Sequence, residues 1–198
     1  MNIAMDLTQV PRDKTGIGIF AVNLVRELLR FPFPPGKFHF YFFVQDDDEE
    51  WKNLIPNSET SSVIPIRSSI FRRLICRFFF EQVLLPRRCK KLDVQAIFSL
   101  HYTMPYFSRI PRVVTVPDLT FYLFPRLHQK IKRLYFKTLI PLSLRRSAKI
   151  VTISDSTKKD LLMRFPRVDP GKVVSIHLGV EIKNPPALAL HHLEHFGL

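Results

Sequence analysis

Between residues 111 and 160 the chain reads PRVVTVPDLTFYLFP, then a basic segment of helical character, then SAKIVTISDSTKKD. Two short apolar runs, residues 113–116 and 150–153, each stop abruptly at polar residues. Pro117-Asp118-Leu119-Thr120 follows the first and Ser154-Asp155-Ser156-Thr157 the second. Runs of this kind fit buried strands, and a helix between two of them fits the crossover that parallel strands require. Open α/β sheets bind ligands just beyond the carboxyl ends of their strands. The two polar stops are therefore expected to line a site.

The same rhythm continues along the rest of the chain. Residues 2–7, 38–44, 63–66, 93–100 and 173–176 read as further strands. Apolar residues recur at helical spacing from Phe20 to Leu29, within 69–91, at 128–147 and at 156–165. Seven strands alternating with helices predict the α/β class, as a doubly wound, mostly parallel sheet with helices on both faces. Pro86 is expected to end or kink the 69–91 helix, and Pro141 to kink the 128–147 helix. Arg72, Arg73 and Arg77 are expected on the outer surface of the 69–91 helix. The acidic run 46–50 lacks metal-ligand spacing and reads as a solvated loop. Residues 1–183 are expected to form one domain, with 184–198 as a Pro-rich linker and the start of a second.

Charge narrows the range of partners. The formal net charge is +13. Residues 126–149 hold eight Lys and Arg and no acid, and residues 67–91 hold eight with Glu81 as the sole acid. Two concentrated basic stretches point to an anionic partner: a membrane face, a nucleic acid or a phosphorylated substrate. No base-reading motif accompanies them, which ranks nucleic acid last. No run approaches the roughly 20 apolar residues that span a bilayer, so contact with a membrane is expected at its surface. Cys76 and Cys89 show neither metal-ligand spacing nor a disulfide framework, and the first ten residues lack the pattern of a signal peptide. The expected setting is reducing and cytoplasmic, with the inner membrane face as the docking surface.

Candidate functional residues sit at the polar ends of strands. Gly16 and Gly18 follow the first strand and open a helix, where backbone can approach a ligand and free N–H groups face an anion. The same glycines also suit a simple tight turn. His101 and Tyr102 follow the fourth strand, Asp118 the fifth and Ser154 the sixth. A histidine at such a position suits proton transfer, although a structural role suits it equally.

The ordered set of segments resembles the N-terminal half of glycosyltransferase family 4 enzymes, which have the two-domain GT-B fold. Thr15-Gly16-Ile17-Gly18 is similar to the family's TGIG loop, and Glu81-Gln82 with Leu85-Pro86 to its E-Q-x-x-L-P helix. Phe98-Ser99-Leu100-His101-Tyr102 with Pro105 resembles an F-H-S-P segment, imperfectly. Residues 113–121 resemble V-V-T-V-H-D-L-x-F, residues 150–161 resemble V-I-T-V-S-x-x-S-K-x-D-L, and residues 172–180 resemble the domain-boundary segment. The resemblance implies a Rossmann-like acceptor-binding domain of a retaining, metal-independent glycosyltransferase. Such an enzyme binds no cofactor tightly and uses a nucleotide sugar as cosubstrate, with a glycan or lipid-linked acceptor. It implies that Gly16 and Gly18 approach the donor diphosphate, and that His101, Tyr102, Asp118 and Ser154 face the acceptor, with His101 and Asp118 as catalytic candidates. It also implies that the donor site lies on a second domain or a separate subunit, without which this chain is inactive. Where the family has His before Asp, this chain has Pro117. The alternative reading is a non-catalytic protein of the same fold that binds a membrane surface or a partner.

Overall fold

The computed structural model describes residues 1–179, and the linker and helix expected over 184–198 lie outside them. Side chains alternate across each strand, so neighbouring residues serve opposite faces of the sheet. In β1 (Asn2–Asp6) Met5 packs on one face and Ala4 on the other; in β2 (His39–Gln45) Phe42 and Phe43 divide in the same way. With β3 (Ser61–Ile66), β4 (Ala96–Ser99), β5 (Arg112–Val116), β6 (Lys149–Thr152) and β7 (Val173–Ser175) they form one all-parallel sheet in the order β3-β2-β1-β4-β5-β6-β7. The expected doubly wound architecture is thus observed. The chain first builds outward from β1 to β3, then returns to build from β4 to β7 in the other direction. The switch point lies between β1 and β4, where Asp6 stands opposite Ser99.

Three apolar clusters hold the layers together. Ala21, Val22 and Val25 of α1 (Ile17–Arg30) pack with Trp51 of α2 (Glu49–Leu54) over Met5, Phe40, Phe42 and Val44. On the opposite face Phe80, Leu85 and Cys89 cover Ala4, Phe43 and Ile97. Phe136, Ile140 and Leu144 of α6 (Lys130–Arg146) and Leu161 of α7 (Asp155–Arg164) cover Val114, Val116, Ile150 and Val173. Burying one such Phe or Leu side chain is worth about 1.5–3 kcal/mol. At the outer edge β3 carries Pro65, whose missing N–H is tolerated on a strand with only one neighbour.

Residues 69–91 do not form the single helix expected. A 3₁₀ turn (Ser68–Arg72) leads into α3 (Leu74–Phe79), a π-helical turn (Phe80–Leu84) and α4 (Leu85–Lys91). Pro86 accounts for the widened turn, because it has no N–H to give the Gln82 carbonyl four residues earlier. The Leu85 N–H instead reaches back five residues to Phe80 O. In α6 the helix runs on through Pro141. The carbonyl that Pro141 leaves without its helical donor is that of Lys137, and Tyr122 Oη donates to it at 2.9 Å. Tyr122 belongs to the short helix α5 (Thr120–Leu123). Its phenol is pushed up to about 12 by burial.

Asp46, Asp47, Glu49 and Glu50 of the acidic run are exposed, as expected from sequence, and Asp48 alone departs from that expectation. Asp48 is buried and receives a 2.6 Å ion pair from Lys14, while Asp47 pairs with Arg12 and Asp46 accepts from Ser68 N–H. Lys14 Nζ also sits 5.0 Å over the Trp51 ring. The run therefore clamps the β1–α1 loop onto the start of α2.

Candidate functional site

The carboxyl edge at the switch point is densely polar. Asp6 ends β1 and is buried; its Oδ1 accepts from Thr8 N–H at 3.1 Å and from Thr8 Oγ1 at 2.6 Å. Its Oδ2 and the Ser99 hydroxyl are buried without a hydrogen-bond partner. Glu81 enters from the π turn. Its Oε2 accepts from Gln9 Nε2 and Thr103 Oγ1, both at 2.6 Å, and its Oε1 from Gln82 Nε2 at 2.7 Å. Burial pushes Glu81 up to about 7, opposed by the Thr103 hydrogen bond and the Arg77 charge. Burial raises Asp6 as well, against its bonds from Thr8 and the same arginine.

Arg77 is not the outer-surface residue expected from the helical pattern. Its guanidinium donates to Gln9 Oε1 and lies 5.8 and 6.0 Å from the Phe136 and Tyr135 ring centroids, roofing the two carboxyls with positive charge. None of Asp6, Gln9, Arg77 or Thr103 had been singled out by sequence as a site residue. One clue was available: Glu81 is the only acid in the 67–91 segment, beside an apolar run.

Beyond β4 the chain makes a tight turn at His101–Thr103. Tyr102 sits at φ +39°, and Thr103 N–H donates to His101 O across it. A non-glycine residue held there stores on the order of 1–3 kcal/mol of strain. The surroundings fix it: Tyr102 N–H donates to Thr115 O at 3.0 Å, and its ring meets Phe121 edge-on at 5.4 Å. His101 is half-buried beside Phe136, with Nδ1 enclosed and unpartnered. Burial first, then the Arg77 charge, push its pKa down to about 3, with Asp118 pulling the other way. The ring is therefore neutral at physiological pH. It suits hydrogen bonding to a hydroxyl better than general-base work, which favours a pKa near the working pH.

Asp118 stands half-buried just past β5. Its Oδ1 accepts from Thr120 N–H at 2.8 Å and Thr120 Oγ1 at 2.7 Å. Burial, then the neighbouring Asp118 charge, push the Tyr102 phenol up. His101, Tyr102 and Asp118 thus come together from two adjacent strand ends. Ser154 is placed differently. It caps α7, its Oγ accepting from Thr157 N–H at 3.1 Å. Thr157 Oγ1 in turn donates to the Pro117 carbonyl at 3.2 Å, tying the end of β6 to the end of β5. The Ser154 hydroxyl is already engaged in holding the helix start.

Gly16 caps α1 with φ +50° and no side-chain cap. A Cβ built there meets nothing within 4 Å, so the loop faces open space, while the positive φ disfavours any other residue. At Gly18 a Cβ would come within 3.3 Å of Lys14 Cβ. That glycine lets the loop carry Lys14 down to Asp48.

Comparison with known proteins agrees with this fold. The Glycosyltransferase Family 4 sequence model matches residues 15–184. No curated protein matches the chain. Among solved structures, a glycosyltransferase from Rickettsia africae ESF-5 is similar with a TM-score of 0.51 at 14% identity, covering 99% of this chain and 49% of its own. UDP-GlcNAc 2-epimerase from Methanocaldococcus jannaschii is similar with a TM-score of 0.54 at 13% identity, covering 89% of this chain and 45% of its own. The chain thus spans about half the length of each, and at these identities the likeness is one of fold.

Proposed function

The chain belongs to Glycosyltransferase Family 4, and on that premise we propose that it forms the acceptor-side half of a retaining glycosyltransferase active site. The reaction moves a sugar from a nucleotide donor to a glycan or lipid-linked acceptor. The observation that carries this reading is the meeting of His101, Tyr102 and Asp118 at the carboxyl ends of β4 and β5, where an open parallel sheet presents its ligands. Asp118 Oδ2, which takes neither bond from Thr120, is the oxygen available to an acceptor hydroxyl. The Gly16 loop, with room above its backbone, faces the donor diphosphate. The nucleotide sugar is held from across the cleft by a second domain, in the same polypeptide or a separate subunit.

The test is transfer from a panel of UDP-, GDP- and ADP-sugars, followed by mass spectrometry. The 198-residue chain alone is expected to be inactive. Once a donor domain is supplied, Asp118→Asn should lower turnover by about 10²–10⁴-fold. Turnover by the isolated chain would overturn the half-site reading, and an unaffected D118N variant would remove Asp118 from it.

The acceptor reading extends to a membrane. Among the described residues no helix is long and apolar enough to cross one. However, Leu123, Phe124, Leu127, Ile131 and Leu134 are all more than half exposed, among Arg126, Lys130, Lys132 and Arg133. Apolar side chains set among cations suit docking on anionic headgroups, each cation adding about 1 kcal/mol. Flotation with phosphatidylglycerol-rich vesicles should capture the chain, and replacing Lys130, Lys132 and Arg133 by Glu should abolish capture. Equal capture by neutral phosphatidylcholine vesicles would count against it.

A further inference from the structure

His128 lies between α5 and α6, outside every motif considered so far. Its ring stacks on Phe121, with centroids 4.0 Å apart and planes inclined by 27°. Its Nε2 lies 3.0 Å from Thr120 Oγ1. Protons can be counted along this contact. Thr120 has a single hydroxyl hydrogen, and it goes to Asp118 Oδ1 at 2.7 Å. The hydroxyl can then only accept from histidine, so Nε2 carries a hydrogen and donates it. With the Thr120 N–H also on Oδ1 at 2.8 Å, both lone pairs of that oxygen are used.

We propose that His128 is a positioning residue for Asp118, acting through Thr120. The chain His128–Thr120–Asp118 fixes which carboxylate oxygen turns to the cleft. Pro117, immediately before Asp118, is buried and offers no side-chain hydrogen bond to do this. The ring is itself held from below, because Phe121 packs against Phe136 of α6 at 4.4 Å. Among the described residues, the other titratable groups that face Asp118 are the Tyr102 phenol and the His101 ring, both from the turn after β4. His101 already sits in a pocket that keeps it neutral.

The inference takes its significance from the acceptor-side reading of Asp118, but its test needs no donor or acceptor. In the ¹⁵N-labelled chain, long-range ¹H–¹⁵N spectra should show neutral His128 as the Nε2–H tautomer. Thr120→Val should release it to a tautomer mixture. Asp118→Asn, whose neutral amide accepts the Thr120 hydrogen less strongly than a carboxylate, should release it in part. His128→Gln, which keeps an amide donor, should leave the amide shifts of residues 118–120 in place, whereas His128→Ala should move them. An Nδ1–H tautomer in the unmodified chain, or a tautomer unchanged by Thr120→Val, would overturn the relay. Sugar transfer indifferent to D118N would instead sink the acceptor reading and leave these spectra as they are.

Discussion

Two neighbouring stretches of the carboxyl edge handle charge in opposite ways. At the switch point Asp6 and Glu81 are sealed in, held up in pKa by burial and roofed by Arg77. At the end of β5, Asp118 is half-open, with one oxygen saturated and the other free of those bonds. A buried carboxylate with three donors fixes where its strands and turns sit; a half-open one can meet a substrate. The contrast teaches that a polar cluster at the classical ligand position of an α/β sheet can be scaffolding, while a half-open carboxylate stands one strand away.

The largest expected effect is at the buried pair between the β1–α1 loop and the start of α2. Lys14→Ala leaves Asp48 charged and buried without its partner, and urea denaturation should show a loss of about 3–5 kcal/mol. The double change Lys14→Met with Asp48→Asn should recover part of it. A loss below 1 kcal/mol would mean that the Lys14–Asp48 pair is solvated after all.

The second expectation concerns pH. The Glu81 pKa rises from 4.5 unfolded to about 7 folded, so its contribution is full below 4.5 and is lost as pH rises to 7. The loss is on the order of 3 kcal/mol, and Asp6, also raised, adds to it. His101 acts oppositely. Its pKa falls from 6.5 to about 3, so stability is lost as pH drops below 6.5. The two slopes oppose each other between about 4.5 and 6.5. Chemical denaturation across pH 4–8 should therefore show a steep decline toward neutrality in His101→Asn, and a rise toward neutrality in Glu81→Gln. Parallel profiles in the two variants would show that the two regions are not separately tuned.

Smaller effects separate anchoring from substrate contact. Ser154→Ala should cost about 1 kcal/mol through the lost cap of α7, and Ser154→Gly only a few tenths. Tyr122→Phe should cost about 1 kcal/mol by orphaning the Lys137 carbonyl. Thermal melts check both. In the assembled enzyme Ser154→Ala should leave turnover within about twofold, in contrast with Asp118→Asn; a larger drop would return Ser154 to the acceptor wall.

Much of the fold could be read from sequence because buried parallel strands are short apolar runs with sharp polar ends. All seven strands were recognisable in this way, as was the helix at 156–165 that forms α7. What escaped was the polar core. Arg77 falls at a surface-like position of an ideal helix, yet its guanidinium reaches Gln9 Oε1 on the β1–α1 loop. Asp48 sat in a run of acids that looked solvated, because its partner Lys14 is 34 residues away. His128 carried no signal at all, since its role depends on stacking over Phe121. Long-range pairing and helix irregularity are tertiary facts, and local periodicity does not record them.

The order of the strands also sets a timetable for the growing chain. β1, β2 and β3 can pair as soon as they are made, but β4 must take its place beside β1 after more than half of the described sequence has emerged. At the usual 5–20 residues per second of synthesis, that interval is on the order of ten seconds. During it the open edge of β1, with Asp6 at its end, stays wet and ordinary in its acidity. The switch point acquires its unusual chemistry late, when the second half of the sheet closes against the first.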